Sequence, residues 1–295
     1  MSTKEAAGLS GRSVRGPSRI AGALGGCAKN FDLFYEHGYK KKVEPDFRML
    51  GSIGHDCLAY HYGEKINPTP EFLNISLDER LAHRTRYQPN GPELIATAKQ
   101  VVDAYKRRFQ NEAWTPLFIE TEFLTTVGEI DPGGPYPELD SEVVSCRSDL
   151  IVEGNGRNWI VDYKFMAGEW GRSNLNVWSA ATEREYLHQA FQNLLVVRKT
   201  MPIEGFIIRR AKRKAPYDFD QQVLTINDRQ YNAMPRMIRY AVKRDLELQA
   251  LAVKGEAQPN FAVCMGKYGP CDYTAYCHAD TEIEAKEILQ EDYYQ

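Results

Sequence analysis

The chain of 295 residues has no apolar run near the roughly 20 residues that a membrane span needs. It has no internal repeat, and no low-complexity tract beyond its first residues. An excess of either charge is also missing: 37 Lys plus Arg stand against 40 Asp plus Glu, and the pI is about 6.1. That balance excludes a global nucleic-acid footprint, so any polyanion contact must rest on local patches. Residues 1–17 form a Gly-, Ser- and Arg-rich stretch with no apolar h-region, which reads as a flexible arm and not a signal peptide. A cytoplasmic location is the expectation, and six cysteines there are thiols or metal ligands sooner than disulfides.

What is present is ordinary for a globular protein: 43% hydrophobic and 26% charged residues, enough apolar material for a sizeable core. Helical patterning is read at Ser18–Tyr35, interrupted by glycines, at Gly51–Tyr62, and at Glu93–Phe109, where Leu94, Ala98, Val101, Val102, Tyr105 and Phe109 make one stripe. Strands are expected at Leu117–Val127, Val143–Val152 and Trp159–Phe165. A helix follows at Thr182–Lys199, with Thr182 and Glu185 spaced as a capping box. Strands at Gly205–Arg209 and Asp218–Ile226 precede a last helix from about Asp228 to Val253, which Pro235 should break or kink. This order predicts an α/β (α+β) fold, a central mixed sheet flanked by helices. One domain over 18–280 with a tail at 281–295 is the simplest division.

The sharpest local signal is residues 149–165. Gly154-Asn155-Gly156 supplies a tight hairpin turn between two apolar runs. Pairing those runs makes Asp149 and Asp162 neighbours, with Lys164 two residues on along the same strand face. Carboxylates set into apolar strands are costly unless they have work to do. Two of them beside a lysine suit a divalent Mg²⁺ or Mn²⁺ ion, with the Tyr163 carbonyl as a further oxygen ligand. His55, in the glycine-bracketed stretch Gly51-Ser-Ile-Gly-His55, is a candidate third ligand, and its nitrogen would favour Mn²⁺. Gln189, on the helix after the hairpin, could hydrogen-bond a metal-bound water or the lysine.

Cys264, Cys271 and Cys277 fall within 14 residues among Gly, Pro and aromatics. Cys57 and Cys146 lie inside predicted elements and read as small buried thiols. Cys27, after Gly25-Gly26, is chosen as the fourth partner. Four thiolates suit a [4Fe–4S] cluster or structural Zn²⁺, and the wide spacing favours iron–sulfur. The basic runs are Lys40-Lys41-Lys42 and the stretch Arg209, Arg210, Lys212, Arg213, Lys214, the latter projecting as a loop from a sheet edge towards phosphates.

Taken together, Gly51–His55, Asp149, the hairpin, Asp162-Tyr-Lys164 and the Gln189 helix resemble the PD-(D/E)XK nuclease superfamily, in particular its RecB-like branch. One N-terminal and three C-terminal cysteines resemble that branch's iron–sulfur members, the CRISPR-associated, AddB-type and phage exonucleases. The likeness covers about residues 18–280. It implies a restriction-endonuclease-like core, His55, Asp149 and Asp162 as metal ligands, and Lys164 and Gln189 as catalytic groups. It further implies Cys27, Cys264, Cys271 and Cys277 as cluster ligands joining the N- and C-terminal helical parts. The chain departs from many relatives at Cys146-Arg147-Ser148, where they have Gly, and Arg147 is a candidate contact to the scissile strand. The implied activity is a Mg²⁺- or Mn²⁺-dependent DNA exonuclease on single-stranded or end-exposed DNA, 5′→3′, in phage or bacterial recombination or repair. Asn193 stands where the family usually has Tyr, which keeps open the alternative of a DNA-binding scaffold with reduced catalysis.

Overall fold

The structure is a computed structural model and describes residues 14–166, 180–212, 215–224, 228–261, 265–266 and 269–294. The chain opens with α1 (Pro17–Gly25), α2 (Ala28–Phe31), a π turn (Asp32–Glu36) and the short strand β1 (Lys40–Lys41). Three helices follow, α3 (Asp46–Gly63), α4 (Leu77–Arg84) and α5 (Gly91–Arg108). Next come β2 (Thr115–Thr126), the one-turn α6 (Val127–Ile130), β3 (Val143–Gly154), β4 (Arg157–Met166), α7 (Ala180–Val197), β5 (Gly205–Lys212), β6 (Phe219–Leu224) and α8 (Asp228–Val253). The C-terminal part holds β7 (Met265–Gly266), β8 (Gly269–Pro270), α9 (Thr274–Cys277), α10 (Glu282–Asp292) and β9 (Tyr293–Tyr294).

The main sheet has five strands in the order β2-β3-β4-β5-β6. Only the β4–β5 contact is parallel, because α7 carries the chain back across the sheet. The expected mixed sheet flanked by helices is therefore present. On one face α3 and α5 pack Ile53, Cys57, Leu58 and Val102 against Leu150, Val161, Tyr163 and Ile207. On the other, α7 and α8 pack Leu194, Val197, Ile238 and Val242 against Ile151, Ile160 and Ile208. The β3–β4 hairpin turns at Asn155 (φ +55°) and Gly156 (φ +73°), the left-handed conformation that this pair was expected to supply.

Several elements differ from the sequence reading. The helix around His55 starts five residues earlier than expected, at Asp46, so His55 lies in the middle of α3 and not near its start. Gly54 explains the glycine there: a Cβ would sit 2.3 Å from Phe165 Cζ, so its absence lets α3 close onto β4. Pro235 does not break α8, which buries Met234, Ile238, Ala241, Val242 and Leu248 on both sides of it. That packing outweighs the one lost backbone bond. The expected cap residues Thr182 and Glu185 fall within α7, whose side chains over 180–186 lie outside the described ones.

The two ends of the chain are tied in. Arg15, at the end of the expected arm, is buried. It pairs with Asp245 at 2.8 Å and Glu142 at 2.8 Å, and donates to the Val143 carbonyl. The expected tail contains α10 and β9, and β9 pairs antiparallel with β1. Lys42 donates to the carbonyls of Gln290 and Glu291, so part of the Lys40–Lys42 run caps a helix C-terminus. No helix among the described residues is long and apolar enough to cross a membrane.

Candidate active site

Three carboxylates lie in one row across three adjacent strands. Leu150 pairs with Val161, which sets Asp149 beside Asp162 on β4. On the other side, Ile119 pairs with Leu150 and Thr121 with Ser148, which sets Glu120 of β2 opposite Asp149. Asp149 and Asp162 are neighbours, as the hairpin predicted. Glu120 escaped the sequence reading, because one acidic residue in an alternating strand looks like a solvent-facing position. Its backbone is unusual: φ is +46°, a region costly for a residue with a Cβ, of order 1–3 kcal/mol, and such strain gathers at functional sites. The period-2 alternation slips here too. Phe118 and Phe123, five residues apart, pack into the same core, as do Cys146 and Ile151 on the paired strand.

His55 of α3 reaches this row. Its Nδ1 is 3.2 Å from Asp149 Oδ2, which also accepts from the Tyr163 backbone N–H at 2.9 Å. His55, Glu120 and Asp149 each present a ligand atom, and the three atoms lie within 4.8 Å of one another. Asp162 is next in the row with its carboxylate held on both oxygens. Gln189 Nε2 donates to Oδ1 at 3.0 Å, and Lys164 Nζ lies 2.6 Å from Oδ2. Gln189 thus grips the carboxylate directly, where the sequence reading offered a water or the lysine. The Tyr163 side chain points away, into the α3–α5 core.

The charges are strongly coupled. Burial pushes Glu120 up to about 8, and the Asp149 charge adds to the rise. Burial also opposes charge on His55, but Asp149 outweighs it and lifts the imidazole to about 9. Asp149 is held below the usual carboxylate range, because His55 and the Tyr163 amide overcome its burial. Burial raises Asp162 despite Lys164. A half-buried cluster of two adjacent carboxyl groups and an imidazole, whose ligand atoms converge, is an oxygen-rich donor set. That chemistry fits a hard divalent cation, with one nitrogen donor.

The basic stretch is a correction. Arg209 and Arg210 lie in β5, which runs to Lys212, and neither projects from a loop. Arg209 is 2% exposed. Its guanidinium pairs with Glu112, donates to Gln221 Oε1 at 2.9 Å and to Tyr105 Oη at 2.5 Å, and lies 3.8 Å from the Trp114 ring centroid. Arg210 pairs with Asp220 and is also buried. Phosphate contact would have to break these pairs, so both arginines hold the β5–β6 edge together. Arg209→Ala should cost about 3–5 kcal/mol in urea unfolding, the range for breaking a buried ion pair. It should leave the salt slope of DNA binding unchanged. Lys212 is half-buried at the end of β5, and Arg213 and Lys214 lie outside the described residues. Arg147 pairs across the ladder with Glu122, two positions from the row.

Among the cysteines, Cys57 and Cys146 are buried thiols as expected, and burial lifts Cys57 to about 11. Cys264 lies outside the described residues. Cys27 accepts from the Asn260 backbone N–H at 3.1 Å, and Asn30 donates to Cys271 Sγ at 3.3 Å. Cys271 and Cys277 both pack against the Leu33, Tyr273 and Tyr293 cluster.

The comparison with curated proteins gives no match. Among solved structures, the "Putative exonuclease" of Eubacterium rectale is similar over 91% of this chain and 88% of its own, at TM-score 0.53 and 14% identity, which shows a shared fold. The structure of SSO0001 aligns over 75% of this chain and 83% of its own at TM-score 0.30 and 13% identity, too low to carry an argument. The family model of the PD-(D/E)XK nuclease superfamily matches residues 17–278, a span that contains every strand of the main sheet and the whole carboxylate row, and the chain belongs to that superfamily.

Proposed function

We propose that this nuclease is a Mg²⁺- or Mn²⁺-dependent DNA exonuclease. It acts on single-stranded or end-exposed DNA, 5′→3′, in phage or bacterial recombination or repair in the bacterial cytoplasm. The observation that carries the reading is the row Glu120–Asp149–Asp162, with His55 at one side and Lys164 at the other. Asp149, Asp162, His55 and Glu120 would hold the cation, with the Tyr163 carbonyl as a further oxygen. When bound, the cation lowers the pKa of a water and neutralises charge on the phosphodiester. Lys164 fixes one Asp162 oxygen and places an ammonium where negative charge builds. Gln189 fixes the other oxygen, so the carboxylate cannot rotate. In this reading Arg147 contacts the scissile strand, and Lys212, Arg213 and Lys214 supply charge for its phosphates.

The test is digestion of end-labelled DNA, single- and double-stranded, in linear, end-blocked and circular forms, with Mg²⁺ or Mn²⁺. Loss of label from free ends, and survival of circles, is expected. Persistent binding with no cleavage under any divalent metal would instead support the scaffold reading.

A [4Fe–4S] cluster on Cys27, Cys264, Cys271 and Cys277 belongs to the same proposal. Its support is the meeting of the N- and C-terminal segments through Cys27–Asn260 and Asn30–Cys271. Anaerobically purified protein should be brown with visible absorption. A colourless, zinc-loaded protein would assign the site to zinc.

A further inference from the structure

A partly exposed group of aromatic and basic side chains lies where the segment after α4 meets β9. Tyr87 is 42% exposed, and its ring centroid is 5.8 Å from that of Tyr294 on β9, at an interplanar angle of 35°. The Arg86 guanidinium is 4.7 Å from the Tyr87 centroid and 5.5 Å from that of Tyr294. Lys40 pairs with Tyr294 across the β1–β9 ladder and adds a second cation to that face. His83, also exposed, contacts Arg86. Among the described residues Arg86 has no carboxylate within ion-pairing distance, in contrast to Arg209 and Arg210. Glu44 is the acidic group near Tyr294.

The position ties this surface to the carboxylate row. Arg84 grips Asp56, the residue after His55 on α3, with its NH2 group 3.0 Å from Oδ1. Arg86 and Tyr87 follow two and three residues later, so their backbone is within about 11 Å of Arg84. Arg84 is also electrostatically coupled to Glu120 on one side and to Tyr294 on the other. An exposed ring, a half-buried ring beside it and an exposed guanidinium plane are the chemistry that holds unpaired bases by stacking and their phosphates by charge.

We infer that Tyr87, Tyr294 and Arg86 form a stacking platform for single-stranded nucleic acid, which receives the strand running into the carboxylate row. The inference rests on the nuclease reading for its substrate. A duplex hides its base faces, so the platform selects unpaired strands.

The experiment measures binding of a fluorescent oligothymidylate and of a duplex of equal length, in EDTA, by anisotropy. Tyr87→Ala should weaken single-strand binding by about 5- to 150-fold, the loss of one stacked base, while Tyr87→Phe keeps wild-type affinity because stacking needs the ring alone. Arg86→Ala should lower the slope of log affinity against log salt by about 0.7 for each phosphate that the guanidinium neutralises. The platform is overturned if Tyr87→Ala and Arg86→Ala both bind the single strand as wild type does. It is also overturned if Tyr87→Phe is as weak as Tyr87→Ala, or if duplex binding falls equally. If instead the wild type neither binds nor cuts DNA in the digestion assay, the nuclease reading itself fails, a distinct result.

Discussion

Asp162→Ala is expected to lower the single-turnover cleavage rate by about 10²–10³-fold or more, the scale of losing one preorganised electrostatic group. Lys164→Ala should fall in the same range, and the double variant should be little worse than either single one. The reason is geometric. Lys164 lies 2.6 Å from Asp162 Oδ2 and Gln189 holds Oδ1, so the carboxylate and the ammonium are placed by each other. Groups that act as one unit lose their joint effect when either is removed, and the effects do not multiply. Losses that multiply in the double variant would show that the two act independently. Stability should change far less than activity. The Lys164 side chain keeps 20% exposure, so its ammonium can turn to water when Asp162 is gone. Rapid-quench kinetics beside thermal unfolding separates the two effects.

How far the sequence exposes this site depends on how local each signal is. The hairpin, with Asn155 and Gly156 at positive φ, is written in three adjacent residues, and it fixes Asp149 against Asp162 and Lys164. Glu120 is set by a different strand and by a left-handed backbone that no residue type announces, so neither pattern nor composition marks it. The exclusion of Arg209 from DNA contact is equally hidden. Glu112, Tyr105 and Trp114, its partners, stand about a hundred positions away. The reason for Gly54 within a helix is equally distant, since Phe165 on β4 is what makes glycine necessary. The helix α4 went unread although its start signal is local: Ser76 and Glu79 form a capping box there, with the spacing that defines one. The C-terminal residues read as a tail because α10 buries none of its residues and so carries no apolar stripe, and β9 is only two residues long.

Divalent-cation affinity is expected to climb with pH up to about 9, by as much as 100-fold per unit where both coupled groups hold their protons. Without a cation, Glu120 is raised to about 8 and His55 to about 9. At pH 7 the carboxyl is therefore neutral and the imidazole charged. A cation needs the opposite forms, a carboxylate and a free imidazole nitrogen, so binding must expel both protons. Below its pKa, each displaced proton costs a factor of ten in affinity per pH unit, 1.36 kcal/mol. The sign is fixed by the raised values: affinity falls as pH drops below about 8 and levels off above about 9. Asp149, held below the usual carboxylate range by His55, is already ionised at neutral pH and contributes no proton. Mn²⁺ titration calorimetry at pH 7, in buffers of different ionisation enthalpy, should count about two protons released. Glu120→Gln should remove one of them and flatten the pH dependence by about one unit of slope. A count of zero would mean that the cation bypasses the His55–Glu120–Asp149 group, and ligation would then have to run through Asp162.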